Sequence, residues 1–350
     1  MLNIIQPIKK KILEFPQKVK RNISVLKKFL PILSLIIPFL VLYSLYPNSF
    51  EATWKGRTYY LFFLWLAILE LILNWEKVQT NKVKKLRSAR TIAFIIVFLL
   101  PTIYVIAANY WGLNAIIEDL AKKNNVPLFT WMPLSTEYFV FTMLFALTIL
   151  LAYGIKDLMD FSISIFFLEI IGLIYTIDNF YPFGRFTPFQ FLVPTTATLA
   201  ANVLNLMGYQ TVTYYITNPY YGSMPQLTAW DSRNPSARAS FAIGWPCAGV
   251  ESLLIYTLTI LLFLKKSAIP WKQRLIYFII GAIVTYFINV LRIATIFWIK
   301  INGGNWELFH NYYGQLFSIT WIVSYPLIII GTRVLWSKIQ FKKISTKDFL

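Results

Sequence analysis

The sequence predicts an all-α polytopic membrane protein with about eight transmembrane helices, a re-entrant or interfacial segment and an external cap with some β character. Of the 350 residues, 57% are apolar, and the mean hydropathy is +0.58. Several apolar runs approach the roughly 20 residues that a helix needs to cross a bilayer. Lysine and arginine are concentrated at the ends and loops that a single topology places on one side.

The hydropathy pattern gives the order of the predicted spans. They cover about residues 30–47, 58–75, 91–109, 136–153, 161–177, 247–264, 275–299 and 313–335. The basic loop between the second and third spans marks the cytoplasmic side. Residues 188–207 are apolar but contain two prolines, and a crossing there would place the later basic loop and the basic C-terminus outside. We therefore predict that this segment is re-entrant or interfacial and that both termini are cytoplasmic.

The predicted spans and the stretches between them divide the chain into five regions. They are a basic amphipathic cytoplasmic segment (1–29), a five-helix membrane region (30–187), a re-entrant segment with an external cap (188–246), a catalytic three-helix membrane region (247–336) and a basic cytoplasmic tail (337–350). The cap contains the longest polar insertion, in which Thr, Tyr and Val alternate with turn residues, and this predicts strands. No removable signal peptide is expected, because no small-residue cleavage site follows a short apolar core.

Composition also excludes several classes of function. The net charge of +18 follows the positive-inside pattern rather than forming a nucleic-acid-binding patch. One cysteine excludes an intrachain disulfide and a cysteine-cluster metal site, and one histidine argues against zinc. We expect no cofactor and no metal.

Three chemically distinctive residues lie in the C-terminal half. Cys247 is the only cysteine, His310 is the only histidine, and Arg292 is embedded in an apolar run. At 1.5 Å per helical residue, Cys247 lies about 28 Å from the basic cluster that ends its span, and Arg292 about 27 Å from the one that begins its own. His310 lies about 34 Å from the basic residue that follows its own apolar run. The three counts converge on the outer rim of a hydrocarbon core about 30 Å thick.

Each of the three residues has a functional and a structural interpretation. Cys247 is either a nucleophile, with its thiol pKa lowered by a helix N-terminus and a nearby guanidinium, or a small buried apolar residue. Arg292 either binds a partner or substrate or extends to the interface. His310 is either a proton carrier or a solvated loop residue.

Supporting residues are predicted from helical spacing. Asn289 and Tyr286 share a helix face with Arg292 and could hold its guanidinium. Glu251 lies one turn from Cys247, where it either orients the site or balances Arg292, and Ser252 follows it. Two further acidic residues within the spans, Glu70 and Glu169, do not reach the outer rim by the same counting.

These residues resemble those of the exosortase/archaeosortase family of multi-pass membrane cysteine transpeptidases. The similarity runs through Cys247-Ala248-Gly249 with Ser252, through Asn289-Val290-Leu291-Arg292-Ile293, and through His310 with Gly314. It covers about the C-terminal half of the chain. Ala248 stands where many members have serine, and some archaeal members have arginine at the position of His310. The Glu251-Ser252 continuation is closer to the archaeal members.

The resemblance implies that Cys247 is the nucleophile, that Arg292 stabilises the thiolate or oxyanion, and that His310 handles protons. It implies substrates that are exported surface proteins with a C-terminal sorting signal, which consists of a short motif, a hydrophobic helix and a basic tail. A membrane lipid amine is the expected acceptor, and the cell membrane the expected location, with the active site at its extracytoplasmic face. The alternatives from the sequence are a transporter or flippase, a lipid-linked glycosyltransferase or polymerase, and a scaffold protein.

Overall fold

The structure is a computed structural model that describes residues 26–78, 88–182, 184–219 and 221–347. The predicted basic segment 1–29 lies almost entirely outside these residues. The helices before the sheet are α1 Leu26–Leu45, α2 Pro47–Ala52, α3 Trp54–Leu73, α4 Ala89–Asn109, α5 Leu113–Lys123, α6 Pro133–Ala152, α7 Ile155–Leu158, α8 Ser162–Phe180, α9 Thr187–Gln190 and α10 Val193–Leu206. Strands β1 Tyr209–Asn218, β2 Gly222–Asp231 and β3 Asn234–Ala242 follow. The chain then forms α11 Val250–Lys266, α12 Trp271–Ile301, α13 Trp306–Leu308 and α14 Gly314–Lys347.

Within the described residues, seven helical segments are long and apolar enough to cross a bilayer. They are Leu26–Leu45, Trp54–Leu73, Ala89–Asn109, Pro133–Ala152, Ile155–Phe180, Trp271–Ile301 and Trp306–Trp336. The all-α polytopic fold predicted from the sequence is thus confirmed. The predicted span 247–264 corresponds to α11, whose 17 residues are about 26 Å long and fall slightly short of a typical hydrocarbon core.

Two compact units divide the chain. The described part of the first unit comprises residues 26–52, 63–78, 88–119 and 136–169. Its buried Glu70 accepts hydrogen bonds from the backbone N–H groups of Ile163 and Ser164, both at 3.0 Å, and from the Ser164 hydroxyl. Glu70 therefore satisfies the free N–H groups at the start of α8, which explains a carboxylate inside an apolar span.

The described part of the second unit comprises residues 53–62, 120–135, 170–182, 184–219 and 221–347, and its core is a bundle of α11, α12 and α14. The Tyr256 hydroxyl donates to the carbonyl of Phe278 at 2.8 Å, and the Tyr325 hydroxyl to that of Tyr277 at 2.7 Å. Both rings cross α12 at Gly281, where a Cβ would lie 2.1 Å from the Tyr256 oxygen. The absence of a side chain at this position lets the two tyrosines cross the helix.

A three-stranded antiparallel sheet in the order β1-β2-β3 packs on this bundle through α10 and α12. Its inward side chains include Leu227, Ala229 and Ala239, which are all buried. The predicted β character of 208–245 is thus confirmed. The segment 188–207 contains α10, whose 14 residues span only about 21 Å. The prediction that this segment does not cross the bilayer is consistent with that length.

The sequence did not predict the amphipathic helix α5, whose residues Leu113–Lys123 include none that is buried. Its apolar and polar residues alternate with helical periodicity, but its mean hydropathy is low. A segment of such low mean hydropathy is not predicted to be a membrane span.

The first prediction concerns Gly281. Gly281→Ala should destabilise the protein by about 1–3 kcal/mol, because the added methyl overpacks the crossing of the two tyrosines. Thermal unfolding in detergent measures the effect. In the double variant with Tyr256→Phe, which removes the closest atom, part of the loss should be recovered. Independent, additive effects of the two substitutions would contradict the proposed contact.

Candidate active site

Cys247 lies in a short 3₁₀ turn, Trp245–Cys247, between the end of β3 and the start of α11. Trp245 is fully buried, and its indole N–H donates to the Tyr181 carbonyl at 3.3 Å. Gly249 then takes a left-handed conformation at φ +86°, which favours glycine, and caps α11. Cys247 therefore lies before the helix N-terminus, rather than in the first helical turn as the sequence suggested.

Two side chains hold the backbone of this turn. The buried Asn289 donates from Nδ2 to the Cys247 carbonyl at 2.9 Å, and Thr196 donates from its hydroxyl to the Ala248 carbonyl at 3.0 Å. The Thr196 and Tyr286 hydroxyls lie 2.8 Å apart. The prediction that Asn289 and Tyr286 hold the Arg292 guanidinium is therefore wrong, because Asn289 instead anchors the turn that carries Cys247 and Tyr286 contacts the second anchor, Thr196.

Arg292 lies on α12, close to the start of α14. A Cβ at Gly314 would lie 2.7 Å from Arg292 Nε and 3.1 Å from the Phe309 carbonyl oxygen. The side chain of Arg292 is half-buried, and its Nε is buried without a hydrogen-bond partner in the part of the chain that the structure describes. Gly314 thus provides the space in which the arginine side chain passes α14.

His310 lies in a π-helical turn, Phe309–Tyr313, between α13 and α14. Such wide turns are rare and are often found at functional sites. The ring of His310 lies 6.4 Å from that of Trp306, and Tyr312 in the same turn contacts Trp54 at a ring distance of 5.3 Å. His310 is half-buried in this turn and is not a solvated loop residue.

The structure brings Cys247, Arg292 and His310 together on the wall of one cavity of about 340 Å³. The rest of that wall is mainly apolar and includes Met224, Phe241, Ile243, Ile293, Ile296, Phe297 and Trp306. Phe241 of β3 contacts the rings of Phe297 and Trp306 at 5.1 and 4.5 Å, which joins the sheet to the bundle. An apolar cavity with a few convergent polar groups is typical of a binding or active site.

Lys55 is a residue of this site that was not predicted from the sequence. Its ammonium group donates to Glu251 Oε2 at 2.5 Å, and the lysine side chain is 32% exposed while that of Glu251 is 5% exposed. Glu251 thus pairs with Lys55 rather than directly with Arg292. Lys55 and Arg57 in the first turn of α3 depart from the positive-inside pattern, since they fall on the predicted external side. That departure is the sequence feature that could have identified Lys55 as a candidate site residue. Ser252 lines a small cavity beside Glu251 and Arg292.

The electrostatics of the thiol differ from the sequence expectation. Burial raises the pKa of the Cys247 thiol above its ordinary value, while the positive charges of Arg292 and Lys55 oppose that rise. The lowering of the pKa by a helix N-terminus, which belongs to the nucleophile interpretation, is not seen in this structure, because Cys247 precedes α11 rather than lying in its first turn. Burial therefore favours the neutral thiol, and the two cations favour its conversion to a thiolate.

The family model "Transmembrane exosortase" matches residues 53–325, more than three quarters of the chain. The chain therefore belongs to the transmembrane exosortase family, which places it among multi-pass membrane proteins with a transpeptidase-like sorting function. Comparison with curated proteins and with solved structures gives no match. The family match does not separate bacterial from archaeal members, so the archaeal assignment stays a prediction.

The second prediction concerns the thiol pKa. Arg292→Gln should shift the pH profile of Cys247 alkylation to higher pH, because it removes the strongest interaction that lowers the thiol pKa. Lys55→Met should shift it in the same direction by less. Lys272→Gln, an exposed position on the same helix as Arg292, is the matched control. An unchanged or lower midpoint in Arg292→Gln would contradict this account of the site.

The third prediction concerns Gly314. Gly314→Ala should displace the Arg292 side chain and reduce turnover about 100-fold, the scale of an ångström-sized misplacement of a catalytic group. Substrate cleavage in membranes measures the effect. Gly331→Ala, on the same helix with open space around its Cβ position, should behave like the wild type. Equal activity of the two variants would exclude the inferred packing of Gly314 on Arg292.

Proposed function

We propose that the protein is a membrane cysteine endopeptidase and transpeptidase that cleaves the C-terminal sorting signal of exported surface proteins. The observation that carries the proposal is that Cys247, Arg292 and His310 line one cavity in a chain of the transmembrane exosortase family. A nucleophile, a proton carrier and a fixed cation are the groups that acyl transfer requires.

In the first half of the reaction, His310 accepts the proton of the Cys247 thiol as the sulfur attacks the carbonyl carbon of the scissile peptide bond. The carbonyl oxygen becomes an oxyanion, which the guanidinium of Arg292 stabilises. The carbon–nitrogen bond then breaks, and the leaving amine takes the proton from His310. The products are a thioester on Cys247 and the released C-terminal helix with its basic tail.

In the second half, the amine of an acceptor attacks the thioester carbonyl. The acceptor loses a proton to His310, the carbon–sulfur bond breaks, and the proton returns to the sulfur of Cys247. A new amide joins the surface protein to the acceptor, for which a membrane lipid amine is our proposal. The mainly apolar wall of the cavity supports transfer to an amine over hydrolysis, because it limits the access of water.

The partners and location follow from this reaction. Substrates carry a short recognised motif, a hydrophobic helix and a basic tail, so they reach the enzyme while they are inserted in the same bilayer. We propose that the cavity opens at the extracytoplasmic face of the cell membrane, with both termini cytoplasmic. The distribution of lysine and arginine along the sequence supports this orientation.

The fourth prediction tests the reaction. A tagged exported protein with such a C-terminal signal is co-expressed with each variant, and its size and membrane attachment are measured. Cys247→Ala should abolish cleavage, and His310→Ala should slow it about 100-fold or more because proton transfer is lost. Arg292→Ala should slow it to a similar extent.

The Lys272→Gln variant controls for expression and insertion in this assay. Hydroxylamine should release the substrate as a hydroxamate from the wild type, which reports the thioester. Normal processing by Cys247→Ala would end the proposal. Mass spectrometry of the new C-terminus separates transfer to a lipid amine, which supports the full proposal, from a free carboxylate, which would reduce it to a protease.

A further inference from the structure

Arg292 also lines a second, small cavity. This cavity has a volume of about 10 Å³, and its polar wall consists of Tyr59, Glu251, Ser252, Arg292 and Ser318. Arg292 is shared between this chamber and the larger cavity that holds Cys247 and His310. The surroundings of the chamber therefore determine how the guanidinium is held.

Three buried polar atoms belong to the residues of this wall. Within the described part of the chain, Glu251 Oε1, Arg292 Nε and Ser318 Oγ have no hydrogen-bond partner. Glu251 is 4% exposed and Ser318 is 3% exposed. Each buried polar atom left without a partner costs about 1–3 kcal/mol. Three such atoms around one chamber indicate that the chamber holds a small polar molecule.

The volume and chemistry select water. A buried water needs about 10–15 Å³ of accessible volume and two to four polar partners. The Arg292 N–H would donate to the water oxygen, and the water would donate to Glu251 Oε1 and exchange a hydrogen bond with Ser318 Oγ. A metal cation would be repelled by the guanidinium, and an anion by the carboxylate. Water alone satisfies the three groups together.

We propose that one buried water in this chamber joins Glu251, Ser318 and Arg292 Nε, and that Glu251 and Ser318 are positioning residues for Arg292. The positioning role, but not the water site, rests on the proposed function, in which Arg292 stabilises the oxyanion. Lys55 occupies Glu251 Oε2 at 2.5 Å, so the carboxylate is already oriented when its other oxygen, Oε1, meets the water. The water thereby holds Arg292 on the side of the small cavity, and the guanidinium stays free to act in the larger cavity that contains Cys247 and His310.

The experiment, our fifth prediction, compares Ser318→Ala with Ser318→Thr in the full-length purified protein. Ser318→Ala removes one partner of the water and loosens Arg292. It should shift Cys247 alkylation to higher pH and lower kcat about five- to tenfold, the cost of the one neutral hydrogen bond between Ser318 and the water, with KM unchanged. Ser318→Thr keeps the hydroxyl and should preserve wild-type behaviour.

Ser324→Ala is the matched control, because Ser324 lies on the same helix but lines an apolar surface groove. It should change neither the alkylation profile nor kcat. A Ser318→Ala variant with wild-type alkylation and kcat would overturn the proposal. So would a Ser318→Thr variant as impaired as Ser318→Ala, since the effect would then come from packing.

A high-resolution structure of the wild type provides a test that requires no substrate. Density for a water within hydrogen-bond distance of all three atoms would support the proposal, and a direct Glu251–Arg292 ion pair with no water between them would overturn it. Neither the density nor the alkylation profile depends on cleavage. If both behave as expected while the wild type fails to process any substrate, the proposed function fails and the water site stands.

Discussion

The geometry of the site depends on the hydrogen bond from Asn289 to the carbonyl of Cys247. Cys247 is on a short turn rather than a long helix, so its position is set by the side chains that hold the turn. Thr196 provides a second anchor from α10 at the Ala248 carbonyl. Both carbonyls need partners in an apolar surrounding, because a buried acceptor without one costs about 1–3 kcal/mol. The need to satisfy the backbone thus places the thiol relative to α12, the helix that also carries Arg292.

The charges of the site are balanced in favour of negative reaction species. Arg292 and Lys55 are two cations; Glu251 forms an ion pair with Lys55 and lines the small cavity that Arg292 also lines. In an environment of low effective dielectric, the remaining positive charge acts strongly on any anion that forms nearby. Burial raises the pKa of the Cys247 thiol, and the two cations oppose that rise. In the reaction that we propose, the thiolate and the oxyanion are the species that this positive charge would stabilise.

Hydropathy and the basic residues sufficed to predict the polytopic fold, and helical rise sufficed to predict that Cys247, Arg292 and His310 reach one end of three consecutive spans. The residues that hold them were not predictable in the same way. Helical spacing shows that Asn289 shares a face with Arg292, but not which neighbouring backbone it reaches. Lys55 is 196 residues from Glu251 along the chain, and only the packing of α3 brings them together. Helix α11 begins at Val250 rather than at the predicted Cys247, because Gly249 before it adopts a left-handed conformation.

The order of the elements explains why one site can be built from residues so far apart in the chain. Cys247 precedes α11, Arg292 is near the end of α12, and His310 precedes α14. Successive helices that pack side by side reverse direction, so the beginning of α11, the end of α12 and the beginning of α14 meet at the same end of the bundle. The sheet enters between α10 and α11 and therefore emerges at that end, where Phe241 closes one wall of the cavity. Connectivity alone thus brings an aromatic wall, a thiol, a guanidinium and an imidazole into one place, and the buried hydrogen bonds then hold the turn that carries the thiol.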